Sequence, residues 1–101
     1  MNYRVRVAPR AAAQIRKAAG WWLRHRSKAP AAFAEEVERG FQLIQSLSGI
    51  GERVSHPEHP GLRRVLLDRV HYHLYYVVSA DEQAVDVLAV WHTSRGSGPS
   101  L

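Results

Sequence analysis

Three runs rich in Val, Leu, Tyr and Trp follow one another between residues 61 and 95, in GLRRVLLDRVHYHLYYVVSADEQAVDVLAVWHTSR. They lie at 63–67, 72–78 and 84–91, and each predicts a β-strand. Turn-forming residues separate them, Asp68-Arg69 after the first and Ser79-Ala80-Asp81-Glu82 after the second. Links this short allow only antiparallel pairing, because a parallel pair needs a crossover of about a dozen residues or more. Ahead of this meander, Tyr3, Val5 and Val7 alternate with Arg4 and Arg6 and predict a short opening strand.

The spacing changes after Pro9, which suits the first turn of a helix. Ala12, Ile15, Ala19, Trp22 and Leu23 fall on one face, with Arg10, Gln14, Lys17, Arg24 and Lys28 opposite, over about 18 residues or about 27 Å. Pro30 starts a second helix after a link of about three residues. Phe33, Val37, Phe41, Ile44 and Leu47 form its apolar face, and Glu35, Glu38, Arg39, Gln42 and Gln45 face water. Gly49 is the expected left-handed cap. The two helices make an antiparallel hairpin. Residues 48–61, punctuated by Gly49, Gly51, Pro57, Pro60 and Gly61, are expected to be irregular. The order strand, hairpin, three strands implies an α+β fold with the helices on one sheet face and the other only half covered. Residues 1–95 form the expected single domain and 96–101 a flexible tail.

Charge sharpens this picture. The net +5 is uneven: residues 1–28 hold eight Lys or Arg and no Asp or Glu, residues 29–60 hold five Glu against two Arg, and residues 61–101 hold four of each sign. A basic first third suggests an anionic partner, nucleic acid or acidic polypeptide. The lack of cysteine excludes a disulfide framework, a thiol nucleophile and a zinc-thiolate site. No apolar run approaches the ~20 residues of a membrane span. Residues 1–10 lack the apolar segment of a secretory signal. A cytoplasmic protein is expected.

The segments APRAAAQIRKAA, LIQSLSGIG, GLRRVLLDRVHYHLYYVV and VDVLAVWHTSR together resemble the RelE/ParE superfamily of type II toxins, over about residues 3–95. The most specific part is Gly-Leu-Arg-Arg, then Tyr-His-Leu-Tyr-Tyr-Val-Val, then the close His92-x-x-Arg95; the Trp21-Trp22 helix looks ParE-like. The second helix usually ends in Leu-Pro-Gly, and here Ser48-Gly49-Ile50-Gly51 lacks the Pro. The resemblance implies a growth-arresting, plasmid-stabilising toxin neutralised by a cognate antitoxin in a toxin–antitoxin hetero-oligomer. The antitoxin is expected to lay an apolar or acidic segment along the sheet or first helix. For the ParE branch the implied target is DNA gyrase, and for the RelE branch the implied activity is ribosome-dependent mRNA cleavage. No cofactor is implied.

Cleaving RNA through its 2′-OH needs a base, cations for the phosphate and an acid for the leaving oxygen. The chain has only Lys17 and Lys28, so a lysine-based centre is absent. Arg63 or Arg64, His71 or His73, Tyr75, His92 and Arg95 are the candidates for a His-based one. A two-residue turn at 68–69 puts Arg63 with Val65, Tyr72 and Leu74; a three-residue turn puts Arg64 with Leu66, Tyr72 and Leu74. The pairs His71/His73 and His56/His59 lack a third ligand at defined spacing, so no metal site is expected. For a toxin acting by binding, the candidate surface is Lys17, Trp21, Arg24 and Lys28 on the first helix with His92 and Arg95. Trp21 is its expected exposed anchor. Alternation with Val85, Val87 and Ala89 assigns Trp91 to the core.

Overall fold

The computed structural model describes residues 2–96 and 98–101. Element order is β1 (Arg4–Val7), α1 (Pro9–His25), α2 (Ala32–Ser46), β2 (Glu52–Arg53), β3 (Arg63–Leu67), β4 (Tyr72–Ser79) and β5 (Ala84–His92). The α+β reading therefore holds. The strands form one sheet in the order β1-β5-β4-β3-β2. β3, β4 and β5 are the antiparallel meander, and β1 adds in parallel to β5 through the helical hairpin. The loop expected to be irregular contributes the two-residue strand β2 against Arg63 and Arg64.

The two helices bury one sheet face. Val37 and Ile44 of α2 and Ala11 and Ala18 of α1 close over Val65, Leu67, Leu74, Tyr76, Val85 and Val87. Glycine is needed at Gly40, because a Cβ there would meet the Leu67 side chain at 2.8 Å. A smaller cluster on the outer face gathers Leu62, Tyr75 and Ala89, with Val54, Leu88, Trp91 and Leu101 against it. The end of the chain thus contacts the sheet: Leu101 packs on this cluster and Arg10 donates to the Ser100 carbonyl. Ser97, within the expected tail, lies outside the described residues.

Several local expectations need correction. The interhelical link spans residues 26–31, with Pro30 in the turn ahead of α2. Among the described residues no glycine takes a left-handed conformation; His71 (φ 60°) and Gln83 (φ 52°) do so at the two hairpin turns. Leu23 is 63% exposed, whereas Gln14 turns inward and accepts the Val90 N–H at 2.8 Å. Ile15, Ala19 and Trp22 pack against the core as expected, while Ala11 and Ala18 take the place of Leu23, so α1 is rolled slightly toward Gln14. Ala11 and Ala18 are small enough to bring the helix onto the sheet, and β1 pairs only residues 84–87 of β5. The uncovered β5 edge beyond Val87 offers the N–H that Gln14 satisfies. In α2, Glu36 is buried and Leu47 exposed. Glu36 accepts from Arg39 and from the Arg69 backbone N–H at 3.3 Å, tying α2 to the β3–β4 turn.

Candidate functional site

Register decides which side chains meet. Leu67 pairs with Tyr72 across a four-residue turn, 68–71. Arg63, Val65 and Leu67 therefore share the helix-facing side with Tyr72, Leu74 and Tyr76, and Arg64 and Leu66 share the outer side with His73 and Tyr75. The grouping is that of the two-residue alternative, reached through a longer turn of the same parity. Arg63 donates to the Gly51 carbonyl at 2.7 Å at the sheet edge.

A bulge then changes β5. Tyr76 pairs with Val87 but Tyr75 pairs with Ala89, which leaves Leu88 as the extra residue. Val85 and Val87 join the main core, whereas Ala89 and Trp91 join the outer cluster. The assignment of Trp91 to the core is thus corrected: an unbroken alternation was assumed, and one extra residue reverses it.

The outer face carries Arg64, His73, Tyr75 and Trp91. Arg64 bonds Glu52 at 2.5 Å and donates to the Tyr75 hydroxyl at 3.3 Å, and the His73 and Tyr75 rings lie 6.1 Å apart. Burial pushes the His73 imidazole below its usual range; nearby Arg64 pushes it further and Glu52 opposes both. The hydrogen bond and charge of Arg64 hold the Glu52 carboxyl low. His71 is not on this face. It sits in the left-handed turn position, outside the strand that carries His73. Among the described residues no group of three His, Asp or Glu is placed to hold a metal.

A second site lies where α1 crosses the end of the sheet. The second half of α1, Arg26, the β3–β4 turn and the end of β5 enclose a cleft of about 620 Å³. Lys17, Trp21 and Arg24 line one wall, His71 and Tyr72 sit at the turn, and Trp91, His92 and Arg95 line the other wall. Five of the six residues expected to bind a target are thereby brought together. Lys28 is exposed in the interhelical link and does not line the cleft. The turn is pinned from both sides, by Glu36 on the Arg69 N–H and by the Thr93 N–H on the His71 carbonyl at 2.9 Å.

The charges in this cleft differ from those elsewhere. Arg6, Arg39, Arg64 and Arg69 each pair with a carboxylate, but Lys17, Arg24, Arg26 and Arg95 pair with none of the described ones. Two of these guanidinium groups lie against tryptophan instead. Arg26 sits 4.9 Å from the ring centre of Trp21 and 5.4 Å from that of Trp22, and Arg95 sits 4.3 Å from that of Trp91. Trp21 is 40% exposed and stacks on His25 at 4.8 Å. His92 Nδ1 accepts the Ser94 N–H at 3.0 Å, so the neutral ring carries its proton on Nε2. Burial raises the Tyr72 hydroxyl above its usual range, opposed by the charge of Arg95.

Sequence reasoning missed Arg26, His71, Tyr72 and Trp91 as members of this cleft. Arg26 was detectable as the basic residue closing α1. The others depended on turn length and on the bulge.

A helical hairpin on one face of a five-stranded mixed sheet is the fold seen in solved RelE/ParE-type toxins. A P. aeruginosa chromosomal ParDE system aligns with a TM-score of 0.70 at 14% identity, over 91% of this chain and 97% of the other. The RelBE2 toxin–antitoxin complex of Mycobacterium tuberculosis aligns at 0.67 and 22%, over 91% and 99%. The isolated E. coli RelE toxin aligns at 0.61 and 18%, over 94% and 88%. No curated protein sequence gives a significant match. Residues 5–96 match the model of the ParE toxin of type II toxin–antitoxin systems, parDE, and the chain belongs to that family. No helix among the described residues is long and apolar enough to cross a membrane.

Proposed function

We propose that this toxin acts in the cytoplasm by binding and inhibiting DNA gyrase, with the cleft between α1 and the end of β5 as its contact surface. The observation that carries this reading is the set of four cations in the cleft that no described carboxylate neutralises, placed beside a half-exposed Trp21. An exposed Trp flanked by Lys17 and Arg24 has the make-up of an interface anchor. His92, held through Nδ1 by the Ser94 N–H, presents its Nε2 edge as a polar contact. No chemistry of the toxin's own is needed.

A cognate antitoxin is the second partner. β2 pairs only with Arg63 and Arg64, so the β3 edge beyond them has no strand against it among the described residues. Leu43 and Leu66 flank a shallow groove there, and Leu66 is 53% exposed. An extended apolar segment of the antitoxin adds to such an edge by main-chain hydrogen bonds.

One observation favours ribosome-dependent mRNA cleavage as a second reading. Arg64, His73 and Tyr75 lie together on the outer face, and His73 is held neutral, ready to accept a proton. Against it, Glu52 neutralises Arg64, and Arg63 faces the other side. A third reading is a toxin-fold module that retains only antitoxin binding. A gyrase supercoiling assay run beside a translation-coupled mRNA cleavage assay separates them. Inhibition of supercoiling without mRNA cleavage is expected. mRNA cleavage with intact supercoiling would transfer the function to the outer face, and inactivity in both with tight antitoxin binding would leave the third.

A further inference from the structure

We infer that the α1–β5 cleft grips a single strand of DNA by its phosphodiester backbone, with the tryptophan-stacked guanidinium groups of Arg26 and Arg95 as the two phosphate clamps. The inference rests on the cleft being the toxin's working surface and names what that surface holds. Each guanidinium lies over a tryptophan ring, Arg26 at 4.9 Å from the Trp21 centre and Arg95 at 4.3 Å from the Trp91 centre, a cation–π contact that does not consume its N–H donors. A guanidinium fork matches two oxygens of a phosphate, and the ring contact restricts the side chain before a ligand arrives. Two such groups stand in one cleft, Arg26 at the α1 side and Arg95 at the β5 side, with Lys17 and Arg24 also in the lining and no described Asp or Glu there.

The remaining lining selects the kind of polyanion. Trp91, Tyr72 and His71 supply flat rings next to the cations, the combination that holds unpaired bases and their backbone together. An acidic peptide would use the cations but not the rings. It would also find little aliphatic surface, since Ala18, Val70 and Val90 are all buried. None of the exposed aliphatic residues Val7, Leu23, Leu43, Leu47, Ile50 and Leu66 lines the cleft. A DNA strand held here fits an inhibitor that meets gyrase while its substrate is open.

All three tryptophans of the chain line the cleft, so intrinsic fluorescence reads its occupancy directly. The probe is an unlabelled oligothymidylate of about a dozen nucleotides, titrated at several salt concentrations. Saturable quenching is expected. Arg26→Ala and Arg95→Ala should each weaken binding about tenfold. Each should also lower the slope of log affinity against log salt by about 0.7, the value for one phosphate contact to a single strand. Arg95→Lys should keep that slope and recover only part of the affinity. Arg53→Ala removes an exposed cation from β2 at the opposite edge of the sheet and should change binding less than about twofold. Thermal melts establish that each variant is folded.

The inference is overturned by absence of saturable quenching, by an equal loss from Arg53→Ala, by preference for poly-glutamate, or by an oligouridylate binding more than about tenfold tighter. Supercoiling inhibition by the same wild-type protein keeps the two readings apart. Inhibition without oligonucleotide binding removes the DNA clamp and leaves the gyrase reading, and binding without inhibition does the reverse.

Discussion

Tyr76→Phe removes one oxygen atom from the interior, and the structure gives the consequence. Tyr76 is fully buried at the centre of β4. Its hydroxyl donates to the Ser48 carbonyl at 2.8 Å and accepts the Gly51 N–H at 2.9 Å, so one phenol closes the loop that follows α2. Phenylalanine fits the same space and adds no bulk. The change therefore isolates the two hydrogen bonds. Ser48 is half-buried and its carbonyl can turn to water, but Gly51 is buried and its N–H has nowhere to go. One lost bond at about 1 kcal/mol plus one stranded buried donor at about 1–2 kcal/mol gives about 2–3 kcal/mol. In a domain of this size that lowers Tm by about 10–20 °C.

Urea unfolding followed by circular dichroism measures the loss as a lower midpoint at unchanged m-value. pH supplies a second readout. Burial raises the Tyr76 pKa above 10.0, with the Gly51 hydrogen bond opposing. The unfolded chain therefore loses this proton first. The resulting stability is complete below about pH 10 and declines as pH rises toward the folded value. Tyr76→Phe should flatten that alkaline decline in part, since Tyr72 is raised in the same direction. A loss below about 0.5 kcal/mol would show that water reaches the Gly51 N–H and would refute the reasoning.

Three further outcomes are expected. Gly51→Ala places a Cβ 2.7 Å from the Tyr76 hydroxyl oxygen and 2.9 Å from the Arg64 carbonyl oxygen. It should destabilise by about 1–3 kcal/mol, visible in the same urea titration. Arg95→Ala should leave Tm within a few degrees, because Arg95 is exposed beyond β5, yet weaken growth arrest at equal expression; undiminished arrest would remove Arg95 from the binding surface. His73 should titrate below 6.5 by NMR in the folded protein. Its contribution to stability is then complete above that value and falls away as pH drops through 6.5 toward the folded pKa, a decline that His73→Gln should remove.

Much of this protein follows from its sequence because the relevant forces are local. Alternating Val, Leu and Tyr specify the strands, and helical spacing specifies α1 and α2. The short turns leave only an antiparallel meander, and the basic residues before Ala29 have no Asp or Glu in that stretch to offset them. The grouping of Lys17, Trp21 and Arg24 with His92 and Arg95 was also legible, since the first three share a helix face and the last two close the final strand.

Three-dimensional packing alone decided the rest. A β-bulge depends on how two strands match over their length, and the extra Leu88 carried Trp91 from the core face to the outer one, where Arg95 stacks on it. The β3–β4 turn length depends on Val70 finding a buried seat and on Glu36 anchoring Arg69, contacts from elements far apart in the chain. The roll of α1 depends on the β5 edge that a four-residue β1 leaves open, where Gln14 satisfies a backbone N–H. A side chain's identity fixes what it can bond, whereas its direction is set by partners that only the folded chain brings near.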